Sequence, residues 1–208
     1  MSSTAAAAAN YEIKFNGINI MTTVANASWM ITSFLNELRS SFSVSNTTNV
    51  SPVVGLDVEW KPNYSTYDDN KVATLQLCHG NRCIIIQLLH LDLIPHSLKS
   101  FLADHSISFV GVGITDDLAK LRRDYGLECG SGLELGSLAD KVYGKQQYSS
   151  SGLVELAREV LGFIIEKPES VTRTDWGAWS LTMEQIKYAT VDAYASFAIG
   201  NKLLGGNN

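Results

Sequence analysis

The stretch Val53-Val54-Gly55-Leu56-Asp57-Val58-Glu59-Trp60 decides how the chain is read. Its first four residues are apolar on both alternating faces, which suits a central strand buried on both sides. Asp57 and Glu59 stand two positions apart, so both project from one face of that strand. Two like charges in a buried setting repel and are poorly hydrated. Something positive must offset them, and Lys61 is the one basic residue adjacent in sequence. A divalent metal is the economical answer, because carboxylate oxygens are natural ligands of Mg²⁺ or Mn²⁺. The competing account is an edge strand whose polar face meets water. For Asp-x-Glu alone that account is preferred; the apolar residues before the pair move the balance toward a site.

Outward from this strand, the chain alternates strand and helix signals. Tyr11 to Phe15 and Ile18 to Thr23 flank Asn16-Gly17, a hairpin turn signal. Asn26 is placed to cap a helix from about Ala27 to Arg39, with Trp29, Ile31, Phe34, Leu35 and Leu38 as its apolar residues. Ser40 to Pro52 reads as a loop. Val72 to Cys78 and Arg82 to Gln87 read as strands joined by a short turn, and Ser108 to Gly113 as a further buried strand. A helix to about Ala103 opens at Pro95 or Ser97, and Thr115 is the expected cap of one from Asp116 to Tyr125. Further helices are expected near Leu133–Val142, Gly152–Leu161 and Thr182–Leu203. Strands first and helices later imply a mixed α/β sheet with helices on its faces.

Composition bounds the rest. The 208 residues are 45% apolar and 18% charged, enough for one sizeable core. Residues 1–10 are expected to be disordered and 11–208 to form one domain. The alanine-rich start lacks an apolar h-region and early basic residues, so it reads as neither a secretory signal nor a transit peptide. No apolar run reaches the length of a membrane span. A cytosolic location is expected, with nuclear entry open. Three cysteines without CxxC spacing argue against a disulfide framework and a zinc ribbon, and Cys78 and Cys83 read as reduced residues at the ends of paired strands. A net charge of −5 argues against tight binding to long duplex DNA. It does not exclude a nucleic-acid substrate if acidic side chains gather around cations.

Further acids stand out by position. Tyr188 and Asp192 are four apart in the last helix and share a face, and Asp192 lies in a small, apolar stretch. Such a carboxylate is paired, hydrated or metal-bound; a solvent-facing Asp is the commoner case. Asp116 and Asp117 open a helix, where acids are favourable for local reasons. Gly111-Val112-Gly113-Ile114-Thr115-Asp116 fails the dinucleotide-binding fingerprint, because Asp116 stands where its third glycine belongs.

Together these elements resemble the DEDDy 3′–5′ exonucleases, and among them the Werner-syndrome-type exonuclease domain. The resemblance runs through Val53 to Trp60, Ala73-Thr74-Leu75-Gln76-Leu77-Cys78 and Gly111-Val112-Gly113-Ile114. It continues through Asp175-Trp176, Leu181-Thr182-x-x-Gln185 and Tyr188-Ala189-Thr190-Val191-Asp192-Ala193-Tyr194. Small plant RISC-interacting clearing exoribonucleases are similar in size. The resemblance implies a ribonuclease-H-like (DnaQ-like) fold and two divalent cations, Mg²⁺ or Mn²⁺. It makes Asp57 the ligand shared by both, with Glu59 and Asp192 completing the first site. The family's spacing from Gly111 selects Asp117 over Asp116 for the second site. Tyr188 then orients or deprotonates the attacking water.

For the substrate, the expectation is the 3′ end of single-stranded RNA, with DNA as the alternative. Trp60, Tyr64, Tyr67 and Trp176 are candidate contacts, the tyrosines by base stacking from the insertion after the acidic strand. A plain surface loop is an equal account of that insertion. Lys120, Arg122 and Arg123 are either phosphate contacts or a solvated helix end. The resemblance further implies a homo-oligomer, a hexamer in the RISC-associated relatives, and a small-RNA silencing complex as partner. A nucleic-acid-binding scaffold on the same fold is the alternative; such a protein usually has lost one of the five site residues, and all five are present. A carboxylate-pair glycosidase needs neither metal nor the Tyr-x-x-x-Asp helix.

Overall fold

A computed structural model describes residues 9–45, 51–61 and 70–205. Seven strands form one mixed sheet: β1 (Ala9–Phe15), β2 (Ile18–Ala25), β3 (Val53–Trp60), β4 (Val72–His79), β5 (Arg82–Gln87), β6 (Ser108–Gly111) and β7 (Gly132–Glu134). Their order is β1-β2-β5-β4-β3-β6-β7. β1/β2, β5/β4 and β4/β3 are antiparallel; β2/β5, β3/β6 and β6/β7 are parallel. The helices are α1 (Ser28–Ser45), α2 (His96–Leu102), α3 (Ile114–Tyr125), α4 (Leu135–Tyr143), α5 (Leu153–Leu156), α6 (Glu169–Thr172) and α7 (Met183–Leu203).

The period-2 alternation of β3 sorts its side chains between two cores. Val54, Leu56 and Val58 join Ile31, Leu35, Leu38, Phe101 and Phe109 on the α1–α2 side. Val53 joins the opposite core with Trp176, Ile186, Ala189 and Ala193 of the α7 side. Asp57 and Glu59 share the parity of Val53 and therefore face α7. The acids lie in the central part of a seven-stranded sheet, not on an edge strand.

Several boundaries differ from expectation for local reasons. The hairpin turns through Asn16 and Gly17 at φ 46° and 78°, and its first strand begins at Ala9, so Ala9 and Asn10 are ordered. Residues 1–8 lie outside the described residues. Helix α1 runs on to Ser45, well into the expected loop, and Trp29 is exposed. Helix α3 starts at Ile114, because Gly113 makes the turn at φ 71° in place of the expected Thr115 cap. Gly132–Glu134 is a short edge strand ahead of α4 where the sequence pattern indicates only helix. Ala157–Leu161 continues α5 as a π-helical turn. Cys78 and Cys83 face each other in the β4/β5 register and form a disulfide, which corrects the reading of two free thiols; Cys129 is free. Among the described residues, no helix is long and apolar enough to cross a membrane.

Candidate active site

Three elements bring the acids together. β3 supplies Asp57 and Glu59, the first turn of α3 supplies Asp117, and α7 supplies Tyr188 and Asp192 one turn apart. Asp117 and Asp192 are buried, while Asp57 and Glu59 are partly exposed. Asp116, the neighbour of Asp117, points outward. A capping box fixes the start of α7: Thr182 Oγ1 accepts from Gln185 N, and Gln185 Oε1 accepts from Thr182 N. The Gln185 amide also donates to Thr174 Oγ1 and to the Asp175 carbonyl, tying the preceding loop to the helix.

The electrostatics follow from burial and crowding. Burial, then the charges of Asp192 and Asp117, push the Asp57 carboxyl well above its usual range. Burial, then Asp57 and Asp192, push Glu59 up to about 9. Asp117 is pushed up to about 7, mainly by burial, with Lys120 opposing and Asp116 adding to it. Burial also raises Asp192, opposed by Lys167. Tyr188 is raised by burial and by the charge of Asp192. Burial raises all four carboxyls, and the other acids raise Asp57 and Glu59 further, so the site is short of positive charge.

Lys167 supplies one such charge, and sequence reasoning missed it. Its ammonium donates to Asp192 Oδ2 and lies 5.1 Å from the centroid of the Tyr188 ring. Burial acts to lower this lysine, but Asp192 wins and holds it above its ordinary value. In sequence, Lys167 is a lone lysine ahead of a proline in a loop, a pattern any surface segment can show. Asp192 Oδ1 is buried and has no hydrogen-bond partner among the described residues. Among those residues, no three His, Cys, Asp or Glu side chains stand at the spacing of a formed metal site.

The substrate candidates divide. Trp60 is 37% exposed, and the Lys120 ammonium lies 3.6 Å from its ring centroid, a cation–π contact at the end of the acidic strand. Lys120 is therefore packed on an indole rather than merely solvated. Trp176 is only 1% exposed, so the expectation that it contacts substrate is corrected. Its ring is enclosed by protein, 5.9 Å from the Tyr188 ring, which it backs. Tyr64 and Tyr67 lie outside the described residues. Arg122 pairs with Glu128 and Arg123 with Asp124. The loop behind Trp176 is held by Gln87, whose amide donates to the carbonyls of Ala178 and Trp179.

The chain is similar to known proteins over most of its length. A 3′–5′ exonuclease family model matches residues 34–205. The mouse bifunctional 3′–5′ exonuclease/ATP-dependent helicase WRN is 37% identical over 153 residues, 73% of this chain and 11% of that protein. The Arabidopsis thaliana RISC-interacting clearing 3′–5′ exoribonuclease 1 is 25% identical over 181 residues, covering 78% of this chain and 89% of that protein. The crystal structure of Escherichia coli RNase D, an exoribonuclease involved in structured RNA processing, superposes with a TM-score of 0.71. It is 24% identical and covers 88% of this chain and 44% of that one. The EXD2 exonuclease domain soaked in Mn has a TM-score of 0.51 at 30% identity, covering 88% and 89%. The shared architecture is the ribonuclease-H-like one. With a match through every element that carries the acids, the chain belongs to the 3′–5′ exonuclease family.

Proposed function

We propose that the chain hydrolyses phosphodiester bonds from the 3′ end of single-stranded nucleic acid, RNA in preference to DNA. The observation that carries this reading is the convergence of Asp57, Glu59, Asp117 and Asp192 from β3, α3 and α7. Their oxygens are hard donors; among the described residues, Lys167 and Lys120 are the cations acting on them, and Asp192 keeps a buried oxygen unpartnered. That donor set fits two divalent cations, Mg²⁺ or Mn²⁺, with Asp57 shared, Glu59 and Asp192 on one and Asp117 on the other. When bound, such ions supply an acidified water and offset charge on the leaving 3′ oxygen.

The chain's own residues do the rest. Burial and the charge of Asp192 keep the proton on the Tyr188 hydroxyl at neutral pH, which favours its orienting the attacking water over deprotonating it. Trp176 packs behind the Tyr188 ring and limits its rotation. Trp60 with Lys120 offers a stacking face and a phosphate partner to the strand end. The preference for RNA draws on the Arabidopsis RISC-interacting relative, most of whose length this chain covers. A hexameric assembly, a small-RNA silencing complex as partner and a cytoplasmic location belong to the same reading, with nuclear entry as the alternative.

The test uses 5′-labelled single-stranded RNA and DNA of one sequence, with Mg²⁺, Mn²⁺ or EDTA. The expected result is a ladder shortening from the 3′ end of RNA, abolished by EDTA and by Asp57→Asn. Activity that survives both treatments would overturn the reading. Faster degradation of DNA would reverse the substrate preference and leave the chemistry in place.

A further inference from the structure

The lysine paired with Asp192 carries an inference that rests on the metal-dependent reading above. Lys167 sits between the π-turn and α6, in a segment without regular secondary structure. Its side chain is 30% exposed, that of Asp192 only 5%. A lysine held this deeply needs a partner of opposite charge. It has chosen the one site acid that lies in an otherwise apolar stretch of α7. Its field also reaches Asp57 and Glu59, on both of which it acts in the direction opposite to burial.

We propose that Lys167 is a built-in counter-ion: its ammonium holds Asp192 through Oδ2, and a divalent cation binding at the free Oδ1 would stand so close that the ammonium must withdraw. Both charges compete for one carboxylate, so each weakens the binding of the other. The ion pair also explains how a buried carboxylate with acidic neighbours is held in the folded chain without a metal. Withdrawal has somewhere to go. A cavity of about 440 Å³ flanks the same segment, reaching from Tyr188 and Asp192 to Lys14, with Glu166 and Glu184 on its lining as alternative partners. The lysine thus sets how much free divalent ion the site demands, while the four acids set where that ion sits.

The experiment is Mn²⁺ binding to the full chain, read from the electron-paramagnetic-resonance signal of free Mn²⁺, together with thermal unfolding in EDTA and in Mn²⁺. The variants are Lys167→Met, Lys167→Gln and Lys167→Arg, with Lys99→Met, exposed on α2 across the sheet, as a control for general charge removal. If the withdrawn arrangement is populated in about one molecule in ten, the neutral variants bind Mn²⁺ about tenfold more tightly than the parent. Lys167→Arg and Lys99→Met are expected to stay near the parent. The neutral variants should also lose stability in EDTA and regain most of it in Mn²⁺, a reversal that a purely structural lysine would not give. Should Lys167→Met fail to fold, Lys167→Gln carries the comparison. Unchanged Mn²⁺ affinity in a folded neutral variant overturns the counter-ion role alone. Absence of Mn²⁺ binding in the parent and all variants overturns the metal-dependent reading, and this inference with it.

Discussion

Replacing Gly55 by alanine should separate the two halves of the site. Gly55 lies in β3 two residues before Asp57, directly beneath α7. A Cβ built on it would stand 2.0 Å from the Ala193 carbonyl oxygen, 2.5 Å from Phe197 N and 3.0 Å from Phe197 Cα. All three are backbone atoms, so no side-chain rotation relieves the clash. Ordinary contact begins at 3.4 Å, so the helix must retreat by about 1.4 Å at Ala193, the residue next to Asp192. Overpacking of this kind costs about 1–3 kcal/mol, and a rigid obstacle belongs at the upper end. For a chain of this length the upper end is a fall in Tm of roughly 6–12 °C. Displacing Asp192 from Asp57 by about an ångström should lower kcat/KM on labelled single-stranded RNA by roughly 100-fold. Gly200→Ala is the comparison. Its added Cβ meets the Val110 side chain at 2.7 Å, two turns further along α7 from Asp192. It should lose stability with a smaller effect on rate. A Gly55→Ala protein with parental Tm and kcat/KM would refute the idea that close packing of α7 on β3 sets the spacing of the acids.

Three further outcomes are expected. Tyr188→Phe keeps the ring against Trp176 and removes only the hydroxyl, so kcat should fall by about 10- to 100-fold with Tm unchanged; a far larger loss would make Tyr188 the base after all. Burial holds His79 below its ordinary value, although its ring N–H donates to the Val53 carbonyl at 2.7 Å. The unfolded chain therefore takes up the proton first, and His79's contribution to stability is full above about pH 6.5 and lost as pH falls below it. Tm should drop more steeply between about pH 7.5 and about pH 5.5 in the parent than in His79→Gln, and equal slopes would contradict the assignment. In denaturant without reductant, thiol titration should count one cysteine, Cys129, and after reduction three. Three at the outset would remove the Cys78–Cys83 bond.

What can be read in the sequence are features whose cause is local. Asn16-Gly17 announces its turn because both residues tolerate positive φ. The alternation of Val54, Leu56 and Val58 against Asp57 and Glu59 places the acids on one face by residue parity alone. Thr182 and Gln185 mark the start of α7 through a reciprocal cap. What cannot be read depends on partners distant in the chain. β7 is three residues long and exists only because β6 offers it a parallel edge. Trp176 reads as a candidate substrate contact in sequence, since an aromatic ring carries no mark of being enclosed. Cys78 and Cys83 read as free because an odd count hides a facing pair. Lys167 is invisible for the same reason: its importance lies in Asp192, on another element, and not in its neighbours in sequence.

The same dispersal of the acids has a consequence for synthesis. Asp57 emerges from the ribosome long before Asp192, and α7 is the last described helix to do so. Until α7 docks on β3, the chain holds at most three of its four acids and no Tyr188. Docking of α7 on β3 and assembly of the proposed site are thus a single event in folding.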